Sequence, residues 1–173
     1  MTLLILALAG CTDRTPGTPA AVHPPGPTTS AESTNTTEST KTTTEDIKAC
    51  SLLSTADLGR LGVTGEAKPG ASKGVTSCEW RVSNAQSGDG YTIGLHVYGN
   101  RSLKDAVSAN PKTSVRVGGH DGLQYVADGG TGCAVAIGVG AASRVDVFVS
   151  GAGEAALCRP ALDVARLVEP RLP

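Results

Sequence analysis

Cys133-Ala134-Val135-Ala136-Ile137-Gly138-Val139, a Gly140-Ala141-Ala142 turn and then Arg144-Val145-Asp146-Val147-Phe148-Val149 decide the fold of this chain. Both runs are rich in β-branched and apolar residues, as strands are, and the link between them is short. Parallel neighbours need a crossover of a dozen or more residues, so these two must pair antiparallel. Working backwards, Ser114 to Val117 and Gly122 to Val126 read as two more strands, punctuated by Gly118-Gly119 and by Gly129-Gly130-Thr131-Gly132. Tyr91 to Tyr98 alternates, with Tyr91, Ile93, Leu95 and Val97 on one face and Thr92, His96 and Tyr98 on the other. Cys78 to Ser83 is a further strand-like run.

Three helices flank these strands. Ser54-Thr55-Ala56-Asp57 opens the first with a capping pattern, Leu53, Leu58 and Leu61 supply its apolar face, and Gly62 stops it. Ser102 to Ala109 predicts a second, halted before Pro111. The chain closes with a third, in which Leu162, Ala165, Val168 or Glu169, and Leu172 fall at helical spacing. Pro160 suits its first turn, with Cys158 at or just inside its start. The expected class is α+β: an antiparallel sheet with short N-terminal, middle and C-terminal helices, stapled by disulfides.

Composition divides the chain into residues 1–10, 11–46 and 47–173. Met1 to Gly10 is apolar apart from Thr2 and far below the roughly 20 residues that span a bilayer. Followed by Leu8-Ala9-Gly10-Cys11, it reads as an export signal ending in a lipobox, cut before Cys11. Only a thiol forms the thioether to a diacylglycerol, so Cys11 is the lipidation residue, and two or more acyl chains such as palmitate suffice for stable anchoring. No Lys or Arg precedes Leu3, so the natural start is expected upstream.

From Thr12 to Asp46, twelve residues are Thr, five Pro and three Ser, with no aromatic and a net charge of −3. Such a segment cannot bury enough apolar surface to order itself, and reads as a disordered stalk with a coil span of about 30 to 35 Å. Its threonines are compositional candidates for O-glycosylation, and His23 is solvated within it.

Residues 47–173 suit one domain. Thirteen Lys or Arg against eleven Asp or Glu give +2, too little and too scattered for a nucleic-acid footprint. Trp80, Phe148 and Tyr91, Tyr98 and Tyr125 are its aromatics, so the core falls to Val, Leu, Ile and Ala. Cysteine compensates. Four remain after Cys11, namely Cys50, Cys78, Cys133 and Cys158, and an even number in an exported domain implies disulfides. Of three connectivities, Cys50–Cys78 and Cys133–Cys158 join sequence neighbours and tie helices to strands. Each closes a loop of some 25 to 30 residues, contributing about 3 to 4 kcal/mol. Wide spacing and the lack of a C-x-x-C pair argue against zinc, and no metal or cofactor is expected.

Chemistry-bearing motifs have plainer readings. Gly151-Ala152-Gly153-Glu154-Ala155-Ala156 satisfies G-x-G-x-x-A, but a dinucleotide site needs a parallel βαβ unit and an acid about 20 residues later. The sheet before it is antiparallel and the sequence stops short of that position, so this is a glycine-rich turn. His120-Asp121 has no evident nucleophile beside it and reads as an exposed turn. His96 is a rim or groove histidine, and Trp80, two residues after Cys78, is core beside a disulfide rather than a sugar platform. No G-x-S-x-G elbow, H-E-x-x-H pair or phosphate loop appears.

The order of these features is familiar. Leu8-Ala9-Gly10-Cys11, the Thr-rich spacer, Ala49-Cys50-Ser51-Leu52-Leu53-Ser54 leading into Leu58-Gly59-Arg60-Leu61-Gly62, Cys78-Glu79-Trp80, Gly132-Cys133-Ala134-Val135 and Cys158 opening the last helix together resemble the DUF3558 family of actinobacterial lipoproteins. The resemblance covers the leader and residues 47–173, and implies an extracytoplasmic lipoprotein with no assigned reaction. The layout is also similar to extracytoplasmic sensor domains of some mycobacterial receptor kinases, which implies recognition rather than chemistry. The expected function is therefore a non-catalytic binding or sensor-like module. It is anchored to the membrane through Cys11, faces away from the cytoplasm, and takes an envelope protein or a glycan or lipid ligand. The alternatives are an envelope hydrolase, with carboxylates brought together by folding, or a lipid or glycan carrier.

Overall fold

The computed structural model describes residues 46–83 and 90–173. Residues 1–45, which hold the expected export signal, Cys11, His23 and all of the expected stalk but Asp46, lie outside the described residues. Seven strands form one sheet: β1 (Val63–Ser72), β2 (Val75–Val82), β3 (Tyr91–Tyr98), β4 (Thr113–Val117), β5 (His120–Val126), β6 (Gly132–Gly140) and β7 (Ser143–Gly151). Their order is β1-β2-β3-β7-β6-β5-β4, and every neighbouring pair is antiparallel. Two meanders, β1 to β3 and β4 to β7, therefore meet where β3 pairs with β7.

Register builds two opposite faces. One row runs Trp80, Ile93, Val149, Cys133 and the next runs Cys78, Leu95, Val147, Val135. These side chains are buried, as are Val97, Val145 and Ile137 beyond them. Helix α1 (Thr55–Arg60) and helix α2 (Cys158–Val168) belong to this side, with α2 across β6 and β7. The buried stripe of α2 is Ala161, Val164, Ala165 and Val168, shifted from the expected Leu162–Leu172 line. Leu162 and Leu172 sit half-buried on its flank. Small and β-branched residues let the helix lie close to the sheet, and the leucines cover its margin.

The two disulfides are Cys50–Cys78 and Cys133–Cys158, with Cα atoms 5.0 and 4.9 Å apart. The first ties the Ala49–Ser51 turn to β2 and the second ties β6 to the first residue of α2. A third tie is ionic. Arg171 Nη2 reaches Asp57 Oδ2 at 2.7 Å, where Asp57 also closes the capping box of α1 with Ser54.

The sequence reading needs two corrections. Val63 to Ser72 is a ten-residue strand although it carries Gly65, Pro69 and Gly70. It is an edge strand, exposed almost throughout, and its register shifts between Thr64 and Lys68. Pro and bulges are tolerated there because the outer edge needs no ladder bonds. Conversely, Ser102 to Ala109 is not a helix. A capping box of Ser102 and Asp105 starts one turn, Leu103–Asp105, and Ala106 is then extended at φ −68° and ψ 114°. Residues 99–112 must travel from β3 across β7, β6 and β5 to β4, four strand spacings or about 19 Å. Eight helical residues advance only about 12 Å. An extended crossover gains that reach and buries Leu103 and Ala106 against Tyr125, Ala134 and Ala136.

Candidate functional site

The crossover runs over the sheet face opposite the helices and leaves part of it open. Here the rows are Glu79, Gly94, Phe148, Ala134, Tyr125 and, beside it, Ser77, His96, Asp146, Ala136, Leu123. Along the first row large side chains alternate with Gly or Ala, so the face is ridged. A cleft of about 200 Å3 lies among His96, Tyr98, Tyr125, Asp146 and Phe148, with Val107 of the crossover at its rim. Val107 is 83% exposed. Its neighbour Ala106 is buried, which fixes the direction in which Val107 stands out.

An ion pair floors the cleft. Arg144 Nε donates to Asp146 Oδ1 at 2.8 Å, and both side chains are buried. Arg144 Nη1 also donates to the Ser102 carbonyl at 2.9 Å, so this residue fastens the crossover to β7. The Arg144 guanidinium stands 4.2 Å from the Tyr98 ring centroid, and that of Arg101 5.6 Å from it, within the range of cation–π attraction. At the other end, Ser108 Oγ and Ala109 N donate to Asp128 Oδ1 at 3.0 and 2.8 Å. Asn110 Nδ2 donates to the carbonyls of Val126 and Ala127. The rim is held at both ends.

Burial shifts two titrating groups of the cleft. It pushes the Asp146 carboxyl above the usual carboxylate range, opposed by the hydrogen bond and charge of Arg144. It pushes the Tyr125 hydroxyl up to about 12, with Asp146 adding to the effect. Tyr125 therefore stays a neutral donor throughout the physiological range. The His96 ring lies over Gly94, where an added Cβ would meet His96 Cε1 at 3.3 Å. It is tilted 41° to the Tyr98 ring at a centroid distance of 6.5 Å.

Alternation along β3 assigned His96 and Tyr98 to one face, and they line the cleft together. Tyr125, Asp146, Phe148 and Val107 were not singled out as a set. Only the β3–β7, β6–β7 and β5–β6 pairings gather the first three, each of which occupies the non-core phase of its strand, and Val107 comes from the crossover.

The other motifs separate. His120 and Asp121 are consecutive in β5, so their side chains leave opposite faces of the sheet. Asp121 pairs instead with Arg116 across the hairpin at 2.6 Å. Gly151 ends β7 and Gly153 has φ +91°, ahead of a single turn at Glu154–Leu157. That is a glycine turn after an antiparallel strand. Trp80 is buried with its Nε1 unpartnered among the described residues, on the helix side and away from the cleft. The four domain cysteines are consumed in disulfides, and no cluster of metal-ligating side chains occurs among the described residues. Among the described residues no helix is long and apolar enough to cross a membrane.

No curated protein and no solved structure matches the chain. A family does match: the one described as a protein of unknown function, DUF3558, matches residues 6–171, and the chain belongs to it.

Proposed function

We propose that this chain is an extracytoplasmic lipoprotein, tethered through Cys11, whose folded domain is a non-catalytic binding module presenting the crossover-face cleft. The anchor reading is supported by Leu8-Ala9-Gly10-Cys11 and by the Thr-rich, Pro-containing segment that separates it from the domain. Two disulfides are in keeping with an oxidising compartment. The observation that carries the binding reading is the state of the cleft carboxylates. Asp146 is committed to Arg144, and Asp128 to Ser108 and Ala109. Carboxylates held in structural hydrogen bonds serve as fixed acceptors and are poorly placed to shuttle protons. The rims are tied down, and rigid polar groups set among aromatic walls are what recognition requires.

The test is a photo-crosslinking residue at Val107, introduced into the anchored chain and into its Cys11→Ala form. The anchored chain is expected to give a discrete envelope adduct that the Cys11→Ala form does not. The reading is overturned if neither form gives an adduct, or if purified protein hydrolyses glycoside or ester substrates in an Asp146-dependent way.

A further inference from the structure

We propose that the cleft takes one neutral sugar ring of an envelope glycan, with the next ring seated in the polar trough beside it. This rests on the binding reading above. Size comes first. About 200 Å3 is below the roughly 300 to 1,000 Å3 of pockets that engulf a whole small molecule. The cleft therefore suits one ring-sized group of a larger ligand.

Its lining fits a ring that is apolar on its faces and hydroxylated at its edge. Tyr98, Tyr125 and Phe148 offer aromatic surface for the C–H faces. The Tyr125 hydroxyl supplies a donor that does not ionise, the Asp146 carboxylate an acceptor, and the His96 imidazole either. Charge disfavours the obvious competitors. Asp146 is already neutralised, which weakens the case for a free cation. Arg144 is spent on Asp146 and the Ser102 carbonyl, which weakens the case for a phosphate or carboxylate. The polar floor argues against an acyl chain.

The same sheet face continues past Gly94 into a second, larger cleft of about 380 Å3 among Thr64, Glu66, Lys68, Glu79, Arg81 and Thr92. The register shift between Thr64 and Lys68 opens it. Its lining is hydroxylated and charged, with both signs present, which suits a chain of hydroxyl groups better than an apolar ligand. Thr92 and Gly94 share the β3 face with His96, so the two clefts open on the same face of the sheet.

The experiment uses the full chain in a sugar-free detergent, titrated with neutral tetrasaccharides of glucose, N-acetylglucosamine and mannose and with the parent monosaccharides. The readout is the NMR signal of His96 Hε1 and the ring signals of Tyr125. At least one tetrasaccharide is expected to shift these signals saturably and to bind more tightly than its monosaccharide. Tyr125→Phe keeps the ring and removes the hydroxyl, and is expected to weaken binding about tenfold, the worth of one good hydrogen bond. Phe148→Leu is expected to weaken it similarly, and Arg116→Ala, at the exposed hairpin, to leave it unchanged. Failure of every tetrasaccharide to shift these signals, or binding indifferent to both cleft variants, overturns the proposal. Equal affinity for monosaccharide and tetrasaccharide overturns the second ring. The Val107 adduct separates this inference from the reading beneath it. Loss of the added mass on periodate treatment, with resistance to protease, supports the glycan. A purely protein adduct overturns the glycan and leaves the binding module standing. No adduct overturns both.

Discussion

Single residues carry unequal shares of this architecture. Asp146 is the most exposed to substitution in the energetic sense: Asp146→Ala leaves Arg144 charged, buried and without its carboxylate. A cost of about 3 to 5 kcal/mol is expected in urea unfolding, because desolvation is no longer offset. Replacing both, as Arg144→Met with Asp146→Leu, should cost less than the single change. Gly118 turns the β4–β5 hairpin at φ +54°, and an added methyl group would overlap the Glu169 carboxylate, which accepts a hydrogen bond from Gly119 N at 2.9 Å. Gly118→Ala is expected to destabilise by about 1 to 3 kcal/mol, read from the same transition.

Asp57 governs part of the acid response. Hydrogen bonds from the Ser54 side chain and backbone, and the Arg171 charge, hold its carboxyl below the usual range. A lowered folded-state value stabilises above the unfolded carboxylate's value, and that stabilisation is lost as pH falls through the folded value. Asp105 acts in the same direction through Ser102. Asp146, raised by burial, acts in the opposite sense, so its contribution favours the folded state at the acid end. Asp57→Asn should therefore lose less stability than the wild type between about pH 5 and pH 2, measured as urea midpoints at stepped pH. Parallel acid limbs would refute this assignment.

Elements differ in how far local sequence specifies them. β3 and β7 repeat apolar residues with period two, which fixes both their existence and their inward face, while β6 is a continuous apolar run whose larger residues alternate with Ala and Gly. Helix α1 is specified by Ser54 and Asp57, whose side chains and backbones bond reciprocally. β1 carries no such pattern, because an exposed edge strand buries nothing and is held by backbone pairing to β2. The crossover shows the opposite failure. Ser102 and Asp105 form the capping box that a helix would use, and tertiary reach then stops the helix after one turn. Disulfides act at this scale too. Each closes a loop with a sequence separation of 28 or 25, contributing about 3.5 kcal/mol on the chain-entropy model. Removing the Cys133–Cys158 pair as a double Ala variant should lower stability by about that amount and loosen α2 first. Hydrogen exchange of the α2 amides checks this, and unchanged protection there would count against the staple.

At the scale of the whole molecule the chain joins three parts with separate jobs: a proposed anchor, a proposed spacer and a folded domain. Cys11→Ala should move the protein from the membrane fraction to the soluble fraction, and continued retention would count against the anchor. The sequence by itself determined the antiparallel α+β class, the two faces of the Tyr91–Tyr98 strand and the first helix cap. Each of these follows from period, turn length or a side chain's bond to its own backbone. It also narrowed the cysteine pairing, since neighbours in the chain close the shortest loops. Only the tertiary structure decided that β3 lies beside β7, because strand order is set by which apolar faces can be buried together rather than by local propensity. The cleft is a product of that decision. His96, Asp146, Phe148 and Tyr125 come from three strands, β3, β7 and β5, and Val107 at the rim comes from the crossover. No spacing along the chain encodes such a gathering, since cross-sheet neighbours share position through hydrogen-bond register and not through sequence.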